Sequence, residues 1–152
     1  MASIKYVSSF VLGLAVLAGV TRAQTGPPSA DDYSWAESCR QCHEKIYDAW
    51  AKTKHASALD RLSNADQEKA CIGCHVTGPK VRVMDGKKVL NRGVQCEGCH
   101  GAAATHAANP EVRTGLTKAP AEALCEQCHS DKGPHFKGFF FSAMKGLCHK
   151  VG

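Results

Sequence analysis

The sequence contains no hydrophobic run long enough to cross a membrane as a helix. Its one long apolar stretch, residues 6–20, would extend about 22 Å as a helix, whereas the hydrocarbon core of a bilayer is about 30 Å thick. Lys5 precedes this stretch, and Thr-Arg-Ala at residues 21–23 follows it as a small-residue cleavage site. The pattern therefore favours a cleaved secretory signal peptide over residues 1–23, and a periplasmic or extracellular mature protein.

The sequence also lacks a cysteine near Ala23, so a lipid-modified N-terminus is not expected. A strong excess of charge of one sign is missing as well. Removal of Lys5 and Arg22 with the signal peptide lowers the formal net charge from +5 to +3. Such a small excess gives no support for nucleic-acid binding.

Signals of regular secondary structure are sparse in the mature chain. Pro27-Pro28 lies in a Gly/Pro/Ser-rich stretch, which predicts a linker over residues 24–34 and one folded domain over residues 35–152. Three helical patterns run over residues 39–52, 65–75 and 120–129. The predicted fold class is therefore mostly α with large irregular content.

One short β-hairpin is predicted over residues 81–90, where apolar and polar residues alternate around an Asp-Gly turn. So little regular structure would leave too small an apolar core for an unaided domain. A bound group must supply the missing apolar centre.

Cysteine and histidine are the residues in excess, at nine and eight. Eight of the cysteines fall in four Cys-x-x-Cys-His motifs, spaced 32, 25 and 29 residues apart, so the motif repeats without a repeated fold unit. The cysteine pairs are Cys39 and Cys42, Cys71 and Cys74, Cys96 and Cys99, and Cys125 and Cys128. The histidines that follow them are His43, His75, His100 and His129.

The histidine at the end of each motif decides between several uses of paired cysteines. Cys-x-x-Cys alone is typical of zinc ribbons, redox dithiols or disulfide frameworks. With histidine at about 5% of residues, chance would place one after all four pairs about once in 10⁵. Two thiols at this spacing reach the two vinyl groups of a porphyrin, and the next residue lies under the iron. The motifs predict four covalently attached c-type haems with those four histidines as proximal ligands.

Haem attachment also accounts for the basic residues, because four haems bring about eight propionate charges that lysines and arginines can pair with. Four further histidines match the four irons in number, which favours bis-histidine coordination and low reduction potentials. These candidates for distal ligands are His55, His106, His135 and His149. Met84 and Met144 are rival ligands, although methionine in a small core more often fills gaps.

Spacing restricts which iron each spare histidine can reach. If the first helix continued, His55 would lie about 18 Å along its axis from His43 and about 120° around it, so it could not bind the iron of its own motif. His106 follows His100 by only six residues and would have to round the porphyrin edge. Both are expected to bind irons held by other motifs. The ninth cysteine, Cys148, is expected to be a free or intermolecularly bonded thiol, because Lys145 occupies the first cysteine's place.

Two segments resemble a known family. Residues 93–101, Gly-Val-Gln-Cys-Glu-Gly-Cys-His-Gly, are followed by His106, and Lys54-His55-Ala56 follows the first motif. Over about residues 33–151 the chain resembles the tetrahaem cytochromes that accept electrons from hydroxylamine oxidoreductase in nitrifying bacteria. Related modules occur in extracellular filament-forming cytochromes. The resemblance is more specific for the haem arrangement than for the partner.

The resemblance implies a small multihaem cytochrome c fold, with haems in closely spaced, partly stacked pairs inside a mostly helical shell. It implies His55 on the fourth haem, His106 on the first and His149 on the third. It also implies a second haem, on His75, with an open face, whereas the bent segment at His135 offers a sixth ligand there. Closure by His135 is slightly favoured.

The sequence therefore predicts an electron carrier that serves redox partner proteins and needs no substrate chemistry. Three alternatives stay open. An open iron on His75 could reduce nitric oxide or a similar small molecule, and end haems could stack between protomers in a homo-oligomer or filament. Retention of residues 1–23 would instead suit a membrane-anchored quinol dehydrogenase, although no stable membrane span is expected after cleavage.

Overall fold

The computed structural model of the chain describes residues 27–67, 70–79, 81–84 and 86–150. The predicted signal peptide lies outside these ranges. Within them, no helix has both the length and the apolar character that crossing a membrane would need. The predicted linker over residues 24–34 is described from Pro27 onward and includes a short 3₁₀ turn at Ala30–Asp32.

The regular structure of the described residues is mostly helical, which confirms the predicted fold class. Most of the helices are a single turn and are separated by irregular chain. The helices are α1 (Trp35–Trp50), α2 (Asn64–Gln67), α3 (Ile72–His75), α4 (Cys96–His100), α5 (Ala104–Ala108), α6 (Glu122–Cys125) and α7 (Phe141–Met144). The strands are β1 (Val81–Met84) and β2 (Lys87–Leu90).

Helix α1 is the longest element of the described residues, and its bounds differ from the prediction. It begins at Trp35 instead of Cys39, because side chains from a distant segment bind the free N–H groups of its first turn. It ends at Trp50, and its path bends at His43, whose backbone is not helical (φ −119°, ψ 41°). The assumption of a helix continuing to His55 is therefore wrong.

The other two helical predictions were too long. The pattern over residues 65–75 corresponds to two short helices of one turn each, α2 and α3. Residues 68–69 between them are not among the described residues. The pattern over residues 120–129 gives only α6, followed by turns. Isolated helices of this length are marginal in water, so tertiary contacts and not propensity decide where they end.

The predicted hairpin is confirmed. Strand β1 pairs antiparallel with β2, so that Val81 lies opposite Leu90 and Met84 opposite Lys87. Gly86 in the connection has a positive φ of 73°, as the primed turns of short hairpins require.

The protein interior of the described residues is small and unusually polar. Its buried apolar side chains are Ala36, Ala58 and Leu59, with exposed fractions of 1%, 7% and 2%. Four polar side chains are equally buried: Thr77, Asn91, Gln95 and Glu97. Because buried polar groups must be hydrogen-bonded, this interior is held together by specific bonds more than by apolar area.

Candidate haem-binding sites

Each Cys-x-x-Cys-His motif occupies about one turn of helix. The first lies in α1, the second starts at the residue before α3 and the third is α4 itself. The fourth begins at the end of α6 and is completed by turns, in which the His129 N–H donates to the Cys125 carbonyl at 2.9 Å. One turn places both thiols and the following imidazole on one side of the backbone, as attachment of a porphyrin requires.

The tertiary structure brings cysteines of different motifs together in two pairs. Cys39 of the first motif lies close to Cys96 of the third, and Cys74 of the second lies close to Cys128 of the fourth. The interaction between Cys39 and Cys96 is the main reason why the pKa of Cys39 is raised and the pKa of Cys96 is lowered. Burial, followed by the bond with Cys74, raises the pKa of Cys128 to about 12. The sites therefore adjoin as first with third and second with fourth.

Two of the spare histidines face proximal histidines of distant motifs. The ring centres of His55 and His129 are 5.8 Å apart, with an angle of 63° between the ring planes. Those of His149 and His100 are 5.9 Å apart, with an angle of 30°. Burial and then the charge of His129 lower the pKa of His55, which favours the neutral imidazole that binds metals.

Both separations fit an iron bound between two imidazoles. A histidine nitrogen binds such a metal at about 2 Å and the ring centre lies about 1 Å behind it, so two coaxial ligands place their ring centres about 6 Å apart. Neither pair is close in sequence, so the spacing is produced by the fold. The donor types and their separation fit haem iron.

Hydrogen bonds orient three of the histidines for metal binding. The Nδ1 of His75 lies 2.7 Å from the Ala58 carbonyl, and that of His100 lies 2.7 Å from the Thr117 carbonyl. The Nδ1 of His106 lies 3.0 Å from the Val112 carbonyl. A proton on Nδ1 satisfies each contact and leaves Nε2 free as the ligand atom, as is usual for metal-bound histidine.

The structure does not bring all eight histidines into pairs. In the part of the chain that it describes, no ring contact links His43, His75, His106 or His135 to another histidine. His135 is exposed at a turn. The distal ligands of all four haems therefore stay predictions.

The ninth cysteine lies beside the third and fourth motifs. Cys148 is half-buried, and burial followed by the charge of Cys125 raises its pKa. Burial, then the charges of Cys148 and Cys125, raises the pKa of Cys99 to about 11. Cys148 directly precedes His149, which contacts His100 of the third motif. The same contact therefore brings Cys148 close to that motif.

A tight backbone contact fixes His55. The Val94 N–H donates to the His55 carbonyl at 2.8 Å. Gly93 has φ +87°, and a Cβ there would collide with the carbonyl oxygens of His55 and Ala56. The segment before the third motif thus positions His55, whose ring faces His129 of the fourth motif.

A buried polar network connects the first three motifs, and sequence reasoning missed it. Gln95 accepts a bond from the Ala36 N–H at 2.8 Å, and its own N–H donates to the Thr77 hydroxyl at 2.9 Å. Asn91 donates to the Thr77 carbonyl and accepts from the Gln95 amide. Glu97 accepts three backbone bonds. The available sequence signal was the position of Gln95 and Glu97 beside Cys96, which does not reveal burial.

These features are typical of c-type cytochromes with more than one haem. Residues 38–101 match the family described as cytochrome c554 and c-prime. Among curated proteins, cytochrome c-554 of Nitrosomonas europaea is 29% identical over 85 residues, covering 43% of this chain and 36% of that protein. The chain therefore spans about a third of the length of the curated relative that it matches.

Two solved structures are also similar. The outer cell wall cytochrome OcwA is 18% identical with a TM-score of 0.44, covering 73% of this chain and 44% of that one. The undecahaem cytochrome from the S-layer of Carboxydothermus ferrireducens is 20% identical with a TM-score of 0.49, covering 73% and 27%.

The resemblance inferred from the motifs is confirmed by the match to the family and by the homology with cytochrome c-554. The family match includes the first three motifs and ends at Gly101. The fourth motif, His106 and His149 lie beyond it.

Proposed function

We propose that the chain is an electron carrier that passes electrons through four covalently bound c-type haems. The observation that carries the proposal is the spacing of the two histidine pairs, His55 with His129 and His100 with His149. His55 and His129 would hold the fourth haem, His149 and His100 would hold the third, and His106 is the ligand that we assign to the first. Two imidazoles per iron leave no open position for a substrate and favour a low potential.

The cysteine contacts support a continuous path for the electron. Thioether sulfurs attach to the porphyrin edge, so the adjoining Cys39 and Cys96 would hold the first and third haems as neighbours. Cys74 and Cys128 do the same for the second and fourth. When bound, the haems supply the redox chemistry, and the chain sets their distance, orientation and local charge.

We assign the carrier to the periplasm or the cell exterior, where it exchanges electrons with other redox proteins. This assignment rests on the predicted signal peptide and on covalent haem attachment. The partners are proteins able to approach the exposed haem edges. No substrate reaction is required of this chain.

A second function is open at one haem only, the haem on His75. His75 is oriented by its bond to the Ala58 carbonyl, yet no second imidazole contacts it among the residues described. If the iron on His75 were five-coordinate, it could bind and reduce nitric oxide or a similar small molecule. We propose closure by His135, because no other iron claims that residue and its bent segment could present an imidazole.

Two spectroscopic measurements test this assignment. Electron paramagnetic resonance of the oxidised protein should count four low-spin ferric haems and none that is high-spin. Carbon monoxide should leave the spectrum of the reduced native protein unchanged and should bind after His135→Ala. Stoichiometric binding to the native protein would instead support the enzyme.

A further inference from the structure

Glu97 is a buried carboxylate inside the third haem motif. It follows Cys96 directly, and only 5% of its surface is exposed. Its Oε1 accepts hydrogen bonds from the Ser34 and Ala103 backbone N–H groups, and its Oε2 accepts one from Trp35, all at 2.8 Å. Both oxygens of the side chain therefore act as hydrogen-bond acceptors.

The charge of Glu97 is balanced without a cation. No lysine or arginine of the described residues forms an ion pair with it. The first turn of α1, a helix of 16 residues, supplies the compensating N–H groups and the positive end of the helix dipole. The negative charge therefore stays fixed in the interior, where it is screened less than a surface charge.

This fixed charge lies beside two haem attachment points. The Glu97 Oε2 accepts the Trp35 N–H at 2.8 Å, and the Cys39 sulfur lies 3.5 Å from the carbonyl oxygen of the same residue. Glu97 also directly follows Cys96 in the chain. Cys39 attaches the first haem and Cys96 the third.

We propose that Glu97 sets the reduction potentials of the haems on the first and third motifs. The inference rests on the proposed function, since it requires haems at both places. A ferric haem carries one more positive charge than a ferrous haem, so a nearby buried anion stabilises the ferric form of both irons. Each reduction adds one electron from the redox partner and leaves Glu97 unchanged.

Glu97 also has a structural role, which the test must separate from the electrostatic one. Its Oε2 holds Trp35, whose φ of +67° is unfavourable for a residue with a side chain. Loss of this contact would lower stability in any case. A variant that removes the charge and a variant that keeps it separate the two roles.

The experiment compares three variants of the full haem-loaded chain. Glu97→Gln removes the charge and keeps the shape, whereas Glu97→Asp keeps the charge. Glu126→Gln is the matched control, because Glu126 holds the same place in the fourth motif but is exposed. The readout is a spectroelectrochemical titration, with the intact mass reporting haem loading and denaturant unfolding reporting stability.

In Glu97→Gln, we expect the midpoint potentials of two of the four one-electron steps to rise. At a fixed applied potential, the ratio of ferrous to ferric haem should increase roughly tenfold, which is about 59 mV. Glu126→Gln should leave all four steps in place, and Glu97→Asp should move them much less than Glu97→Gln. Four unmoved steps in fully loaded Glu97→Gln would overturn the inference while leaving the proposed function intact. Unmodified protein without haem would instead overturn the proposed function.

A measurement on the unmodified protein covers the case in which Glu97→Gln does not load haem. With ¹³C in the glutamate side-chain carboxylates, redox difference infrared spectra separate them from haem propionates. The inference expects a glutamate carboxylate band that shifts on reduction and persists in Glu126→Gln. The absence of any such band would overturn it.

Discussion

His55 and His149 each face a histidine from a motif far along the chain. Counting imidazoles was enough to name them as candidate ligands, because four motifs leave four histidines over. Their partner histidines could not be predicted from spacing, since the contacts depend on the path of the irregular segments between the motifs. The resemblance implied His129 and His100 as partners, and the structure brings these rings to 5.8 and 5.9 Å.

Replacement of either ligand by methionine should affect one haem at a time. We expect His55→Met and His149→Met each to raise the potential of a single haem, because thioether ligation raises the potential relative to imidazole. The two variants should move different steps in a redox titration. Lys150→Met, at the exposed neighbour of His149, is the control and should move none. If either histidine variant left every step unmoved, that ligand assignment would be wrong.

The glycine before the third motif should be sensitive to substitution. We expect Gly93→Ala to lower the free energy of unfolding by more than Gly86→Ala. Both positions have positive φ, which costs about 1–2 kcal/mol for a residue with a Cβ. Only at Gly93 would the Cβ also strike the carbonyl oxygens of His55 and Ala56, whereas at Gly86 it meets open space. Denaturant unfolding of both variants measures the difference, and equal losses would contradict the proposed contact.

Among the elements, the hairpin could be predicted and the helices only in part. The Asp-Gly turn between alternating residues encodes the hairpin locally, so strands over residues 81–84 and 87–90 follow from the sequence. Helix α1 begins at Trp35 because Gln95 and Glu97, 59 to 63 residues away, bind its first N–H groups. Such a distant cap leaves no local signal at the start of the helix.

The end of α1 is tied to the third motif by one side chain. The Trp50 Nε1–H donates to the Val94 carbonyl at 2.9 Å. We expect Trp50→Phe to lower the free energy of unfolding by about 1–3 kcal/mol, because the carbonyl loses its partner.

Tyr47→Phe is the matched control for that change. Tyr47 packs against Trp50, with ring centres 5.4 Å apart, and the substitution keeps its ring. Its free energy of unfolding should stay close to that of the unmodified protein. Equal losses in the two variants, measured by denaturant unfolding, would show that the Trp50 bond does not stabilise this junction.

At the scale of the whole molecule, the motifs could be found because covalent attachment requires fixed spacing between two thiols and an imidazole. The packing of the motifs against one another could not be predicted from the sequence. Cys39 meets Cys96 and Cys74 meets Cys128 across many residues of irregular chain, and a polar network replaces an apolar core around Thr77. Polar interiors of this kind depend on each hydrogen bond being made, which a hydrophobicity pattern does not show.

The number of covalent haems is the claim on which the rest of the account depends. The intact mass of the denatured, purified protein measures it directly, because thioether bonds survive denaturation. We predict the mass of the chain from about Gln24 plus four haems. A mass without haem, or a native protein that holds zinc in its place, would contradict the account.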